Sequence, residues 1–388
     1  MADRGDPARR RFPHLPDLPH APPPEELEAA FAREVEPPRP SALARWLRWG
    51  LAAFALVSVA GFAAAFALHQ NWAASVEALV RIQPAWILPA LAVPFLDWLG
   101  GGLRLRALLG PFGDRPSLLR CTQIAAATAG SAWLTPSGAG GGPAQLYGLT
   151  RAGVPLGRAG AVNAATFLSN LTFLALAALV AWGAGAGRAL EHMTLPVGEL
   201  SAGRLFAWTA WAMAGAAAAI LTLALVSHLA RAPLRRALRQ HRHAERWLRH
   251  LEELRLGLLT YAGRGKLAFL ASLPATAVHF GSRILLGWIL LRGFGVPAPF
   301  GHVVVLHTMI HFLLFFMPTP GGAGLGELLA PMFMAPYLPA GLLLPYTALW
   351  RLFLSYISVA VGAALLLGWL GKSGSGARGL ASATGRPS

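Results

Sequence analysis

The chain has 388 residues, of which 55% are hydrophobic and only 13% charged, where a soluble domain carries roughly 25% charged residues. Its net charge of +16 is borne by basic residues gathered between apolar runs, the pattern of cytoplasmic loops, so the charge points to a membrane and away from nucleic acid. Cys121 is the only cysteine, which excludes an intramolecular disulfide.

Residues 1–41 are rich in proline and arginine and read as a disordered cytoplasmic tail, with Glu25–Arg33 as a short helix candidate. Arg45, Trp46, Arg48 and Trp49 form an interfacial anchor. The first span, Leu51–Leu68, lies too far from the start for a cleavable signal peptide. Residues 69–84 read as an outer connection. Trp86–Leu109 is the second span and contains Asp97, Arg104 and Arg106. Leu118–Leu134 and Ala144–Leu149 flank a proline- and glycine-rich break. Ala159–Trp182 and Leu205–Leu229 are further spans. Residues 231–255, with eight Arg and three Glu, are the most basic stretch and so cytoplasmic. The leucines of residues 230–258 make it an amphipathic helix for the anionic leaflet or, more plainly, a basic loop that sets topology. Leu267–Leu291 follows, then Val303–Phe316, a second break, Leu328–Leu338 and the last span, Leu342–Leu370. Residues 371–388 read as a disordered glycine- and serine-rich tail.

Counting spans outward from residues 231–255 puts Arg115 and Arg120, before the first broken segment, and Arg151 and Arg158, after it, on the cytoplasmic side. That segment therefore enters and leaves by one face. The same count makes the second broken segment re-entrant from the outer face. The predicted fold is an all-α polytopic membrane protein of six full transmembrane helices plus two oppositely oriented re-entrant hairpins, eight membrane segments in all. Residues 42–370 form the membrane domain, with repeat halves at about 85–183 and 267–370 and both termini cytoplasmic at the inner (plasma) membrane.

The two breaks resemble each other. Thr135-Pro136-Ser137-Gly138-Ala139-Gly140-Gly141-Gly142 aligns with Thr319-Pro320-Gly321-Gly322-Ala323-Gly324-Leu325-Gly326, 184 residues later, with six of eight positions identical. Leu108-Leu109-Gly110-Pro111-Phe112-Gly113 likewise echoes Leu290-Leu291-Arg292-Gly293-Phe294-Gly295. Inverted repeats built around broken helices place a substrate site near the midplane in secondary transporters.

Charges at membrane depth cost about 2.5–3.5 kcal/mol on insertion scales and are functional candidates by default. Asp97, Arg283, Glu327 and Arg351 stand out. A Glu327–Arg351 pair reads either as a structural ion pair or as part of a site for an anionic head group, the arginine gripping phosphate oxygens. Arg283 is the second phosphate candidate, or an arginine reaching for an interface. Asp97 and Arg104, seven residues apart, share a helical face and form a candidate pair; Arg104 and Arg106 read equally as positive-inside anchors. Gly138, Gly140, Gly321, Gly322 and Gly324 let backbone N–H groups approach a phosphate or, more simply, let helices pack closely. Asn163 and Asn170 share a face and line the same cavity or bond between helices. His307 and His311, at i and i+4 with His302 and His279 near, read as neutral histidines facing a cavity; with no cysteine beside them and no H-E-x-x-H pattern, no metal or other cofactor is expected. No nucleotide-binding P-loop and no G-x-S-x-G nucleophile turn occurs, so neither an ATP motor nor that hydrolase chemistry is expected.

Pro318-Thr319-Pro320-Gly321-Gly322-Ala323-Gly324-Leu325-Gly326-Glu327, followed by Arg351, resembles the PTPGGxGxxE…R pattern of the lysylphosphatidylglycerol synthase transmembrane-region family, a flippase-like domain. Leu134–Tyr147 occupies the place of that family's first Pro/Gly-rich signature, but Pro143-Ala144-Gln145 stands where an acid or polar residue usually follows the glycines. The resemblance covers roughly residues 45–370. It implies movement of a charged lipid between leaflets, and a stand-alone member is not expected to aminoacylate lipid. The expected function is therefore a non-enzymatic, ATP-independent lipid translocase for an anionic phospholipid or polyprenyl-phosphate-type lipid. Its partners would be membrane lipids, with an enzyme of lipid or envelope synthesis as a further candidate. The rival readings are an intramembrane lipid enzyme, and a non-catalytic scaffold or subunit of a lipid-modifying or glycan-assembly enzyme.

Overall fold

The computed structural model describes residues 40–69, 72–80, 82–183 and 265–383, apart from positions 316 and 318, with isolated positions between 208 and 263. The expected tail at residues 1–39, most of the span at 205–229 and most of the basic segment lie outside the described residues. The chain divides into two compact units. The larger, Leu47–Trp369, holds the elements that matter below. Of the smaller, residues 1–46 and 370–388, the described parts are helix ends.

Among the described residues every regular element is helical. They are α1 Pro40–His69, α2 Trp72–Val80, α3 Ile87–Leu109, α4 Leu118–Trp133, α5 Gly141–Arg151, α6 Leu156–Gly183, α7 Lys266–Gly293, α8 Phe300–Phe315, α9 Leu325–Met334, α10 Ala340–Arg351 and α11 Ile357–Ala383. A five-residue π-helical turn, Leu352–Tyr356, joins α10 to α11. Five helical stretches are long and apolar enough to cross a bilayer: Leu47–Ala67, Pro84–Phe112, Leu156–Ala177, Lys266–Gly293 and Ala340–Leu370. They coincide with five of the six expected full spans. Two local features differ from expectation. The connection at residues 69–84 contains α2, since Trp72-Ala73-Ala74-Ser75-Val76-Glu77-Ala78-Leu79-Val80 has no glycine or proline to break a helix. And α11 runs on to Ala383, into the stretch read as a tail.

Each break divides a would-be span into two short helices, α4–α5 and α8–α9. Ser117 starts α4 by accepting the Arg120 N–H at 3.2 Å, a serine N-cap. In the tips that follow, two pairs of equivalent residues have matching φ, while a third pair, Gly140 and Gly324, differs at −72° and 80°. Ser137 and Gly321 have φ of 51° and 55°, and Gly138 and Gly322 have 69° and 64°. These are left-handed values that favour glycine, and Ser137 adopts one without being glycine. Gly113 and Gly295, equivalent in the other echo, match as well at 78° and 72°.

Small residues bring the long helices together. A Cβ on Gly100 of α3 would lie 2.7 Å from the His279 backbone nitrogen of α7, and one on Gly130 of α4 would lie 2.7 Å from Gly362 Cα of α11. The main core joins α7, α8, α9 and α10 through residues such as Leu286, Ile310, Phe333, Tyr346 and Trp350. Outward-facing Leu56, Val59, Leu88, Phe95, Leu179 and Leu267 are exposed, as surfaces facing lipid tails would be.

Candidate functional site

The two tips meet. Pro136 and Pro320, equivalent in the two motifs, form an isolated antiparallel bridge. Gly321 N–H donates to Thr135 O at 3.3 Å, and the Ser137 N–H and hydroxyl both donate to Met317 O, at 3.0 and 3.1 Å. Gly321 lies so close to Trp133 that a Cβ would sit 2.5 Å from its carbonyl oxygen.

Gly324 caps α9, and Glu327 follows in the first helical turn, where the N-terminal partial positive charge favours a carboxylate. Its Oε1 accepts from Arg351 Nε at 2.9 Å, and both side chains are wholly enclosed. Arg351 Nη1 also donates to Gly321 O at 3.2 Å, which fastens the last span to the tip. Glu327 Oε2 and Arg351 Nη2 have no hydrogen-bond partner among the described residues. The π-helical turn begins directly after Arg351, a distortion that often marks functional positions.

A second charged cluster spans α3 and α7. Arg283 donates to both Asp97 oxygens, Nε to Oδ1 at 3.0 Å and Nη2 to Oδ2 at 2.9 Å. His279 Nδ1 lies 2.5 Å from Asp97 Oδ1, which places the ring proton on Nδ1, because a carboxylate only accepts. Asp97 thus makes its ion pair with Arg283 and not with Arg104, its helix-face neighbour in sequence. The reason is geometric: α3 and α7 touch at Gly100 and His279, so the charge across the contact is nearer than the charge two turns away. Arg104 instead donates through Nη1 to Asn170 Oδ1 of α6, and its Nε has no hydrogen-bond partner among the described residues.

Trp133, at the end of α4 just before the first break, links the two clusters. Its indole has the Arg283 guanidinium at 5.8 Å and the Arg351 guanidinium at 5.7 Å, both within cation–π range.

Of the glycines, Gly138, Gly140, Gly321 and Gly322 direct their N–H groups inward, to Thr135 O, Thr135 Oγ1, Thr135 O and Thr319 O. In this conformation those donors are engaged. Gly324 faces α1, where a Cβ on Gly61 would lie 2.6 Å from Gly324 Cα. Asn163 lies against Gly142 near the start of α5. Gln145, in the region where the acid of the second motif would recur, turns to Thr166 at 3.2 Å. His307 bonds Tyr346 through Nε2 at 2.5 Å, and His311 Nδ1 bonds His307 O at 2.7 Å; both are buried in the core. Among the described residues no group of three or more His, Cys, Asp or Glu could hold a metal ion. An apolar cavity of about 80 Å³ lies elsewhere, against Leu79, Trp86, Ile87, Leu290 and Phe353. Sequence reasoning missed Trp133 as the link and His279 as a partner of Asp97; the signal for the first was its place immediately ahead of the motif.

Helices of this length and apolarity, with ion pairs buried between them, define a polytopic helical membrane protein. The sequence profile of the lysylphosphatidylglycerol synthase TM region matches residues 50–362. The chain belongs to that family. No curated protein matches it.

Proposed function

We propose that this protein moves an anionic lipid head group between leaflets without ATP. The two broken segments act as opposed re-entrant hairpins of an inverted repeat, and their tips close the path. The observation that carries the reading is the meeting of the two tips beside buried ion pairs. It is supported by the pairing of equivalent positions: Pro136 with Pro320, and Asp97 with His279, which stand 182 residues apart like the two Leu-Leu-x-x-Phe-Gly echoes. Residues on a twofold axis touch their own counterparts, and the matching left-handed φ values of Ser137 with Gly321 and of Gly138 with Gly322 fit the same axis.

The enclosed Glu327–Arg351 pair corresponds to a closed state. For a head group to pass, the tips part, Arg351 and Arg283 exchange carboxylates for phosphate oxygens, and the carboxylates are left to protonation or to a cationic group. Tip glycines whose N–H groups now bond within the tips become phosphate donors when these bonds open.

The test is transfer of fluorescent phosphatidylglycerol and of a polyprenyl phosphate in proteoliposomes. Transfer by the wild type that Glu327→Gln and Arg351→Ala both lose, each folded, supports the reading. A second reading has its own observation. The pair is fully enclosed and Arg351 also bonds the Gly321 carbonyl, as a purely structural pair would. A folded wild type that moves neither lipid, with or without a proton gradient, favours that scaffold role.

A further inference from the structure

The deep charges of the described helices do not balance. Asp97 and Glu327 supply two carboxylates; Arg104, Arg283 and Arg351 supply three guanidiniums. Asp97 is taken by Arg283 and His279, and Glu327 by Arg351. Arg104 is left with no ion-pair partner among the described residues, although its side chain is only 4% exposed. Its direct contact supplies polarity without charge, and Asp97, the carboxylate whose field reaches it, already serves Arg283 and His279. Asn170 accepts one N–H, and the neighbouring face of α3 is packed through Gly101 against Ala125 and through Gly102 against Thr122. A buried cation without a counter-charge is strongly disfavoured, so a site of this kind calls for an anion.

We infer that Arg104, held on Asn170, is the seat for one singly charged phosphodiester, the head-group chemistry of a glycerophospholipid; this rests on the lipid-translocation reading and selects among its substrates. The guanidinium fork has donors to spare beyond the one that Asn170 takes, and two phosphate oxygens match its geometry. One negative charge brings these five groups to neutrality. A phosphomonoester carries about −1.5 to −2 at pH 7, so it overshoots. Its extra charge would also face Asp97, on the same face of α3.

The test is thermal unfolding of the full-length protein in a neutral detergent, titrated with dihexanoyl phosphatidylglycerol, citronellyl phosphate and inorganic phosphate. The wild type is expected to show a saturable rise with the phosphatidylglycerol and about tenfold or more weaker binding of the other two. Arg104→Gln is expected to lose the response. Asn170→Asp is the sharper variant, because it supplies the missing counter-charge from within. It should melt no lower than the wild type without lipid, and lose at least about tenfold in affinity for phosphatidylglycerol. Asn170→Asp that binds the lipid like the wild type, or that fails to fold, overturns the inference, and so does citronellyl phosphate binding as tightly as the diester. An equal response to inorganic phosphate makes the seat a free-ion site and overturns the lipid assignment. If the wild type binds as expected but transfers no lipid in liposomes, the translocase reading falls and the seat stands. If it transfers lipid while Asn170→Asp binding is unchanged, the reverse holds.

Discussion

Arg351 donates through Nε to Glu327 at 2.9 Å, from a span 24 residues further along the chain, and neither side chain has any exposed surface. The bond ties the second tip to the start of the π-helical turn. Removing one partner strands the other as a lone buried charge, at a cost of about 3–5 kcal/mol, whereas removing both leaves no charge to strand. The double variant Glu327→Gln/Arg351→Met is therefore expected to be more stable than the sum of its single variants. Unfolding of the four proteins in one detergent checks this. Additive losses would show that the two side chains are not coupled.

At the contact of α3 with α7, a methyl on Gly100 meets the His279 backbone, which cannot swing aside as a flexible side chain could. Gly100→Ala is expected to cost about 1–3 kcal/mol, as overpacking does. It should also disturb the Asp97–Arg283–His279 cluster. Melting temperature gives the stability, and an unchanged value would show that the helices stand further apart than described.

Ser137 holds a left-handed φ of 51° that its counterpart Gly321 adopts as glycine. Ser137→Gly relieves that strain but gives up the hydroxyl bond to Met317, so stability should change little. Ser137→Val is expected to lose about 1 kcal/mol or more, because it gives up the hydroxyl bond to Met317 and puts a side chain branched at Cβ where φ is positive. Equal stability of the two variants would contradict the tip geometry.

Asp114 lies in the connection before α4, 3.4 Å from Arg158. Partial burial pushes its carboxyl above the usual 3.8, and Arg158 offsets only part of that. A raised folded-state value means that the stability from this group is complete below the unfolded value and declines as pH climbs through the folded one. Asp114→Asn removes the decline, so the variant should gain on the wild type between pH 4 and pH 7, against what a simple salt-bridge count suggests. Melting temperatures across that range decide it. A wild type that gains on the variant as pH rises refutes the sign.

Much of the scaffold was legible in the chain. Apolar length gave the five described spans within a few residues, because a bilayer imposes that length whatever the partners are. The breaks were legible because Pro320, Gly321 and Gly322 cannot continue a helix. Glu327 and Arg351 could be paired on paper since each was the evident charge in its segment. Asp97 was harder. Periodicity places Arg104 on its face, but nothing local encodes a partner 186 residues away, and the crossing at Gly100 decided the pair. The bridge between Pro136 and Pro320 and the inward bonds of the tip glycines belong to tertiary packing, to which a single sequence gives no access.

The most direct measurement is lipid transfer with the tips tied together. Residues opposite each other in an antiparallel bridge have Cα atoms about 4.5–5.5 Å apart, within the reach of a disulfide. Pro136→Cys and Pro320→Cys, in a Cys121→Ala background, would lock the tips on oxidation. Transfer of fluorescent phosphatidylglycerol in liposomes should stop in the oxidised protein and return on reduction. Equal transfer in both states would contradict a path that opens between the tips, and no transfer in either state, with the wild type also inactive, would contradict translocation itself.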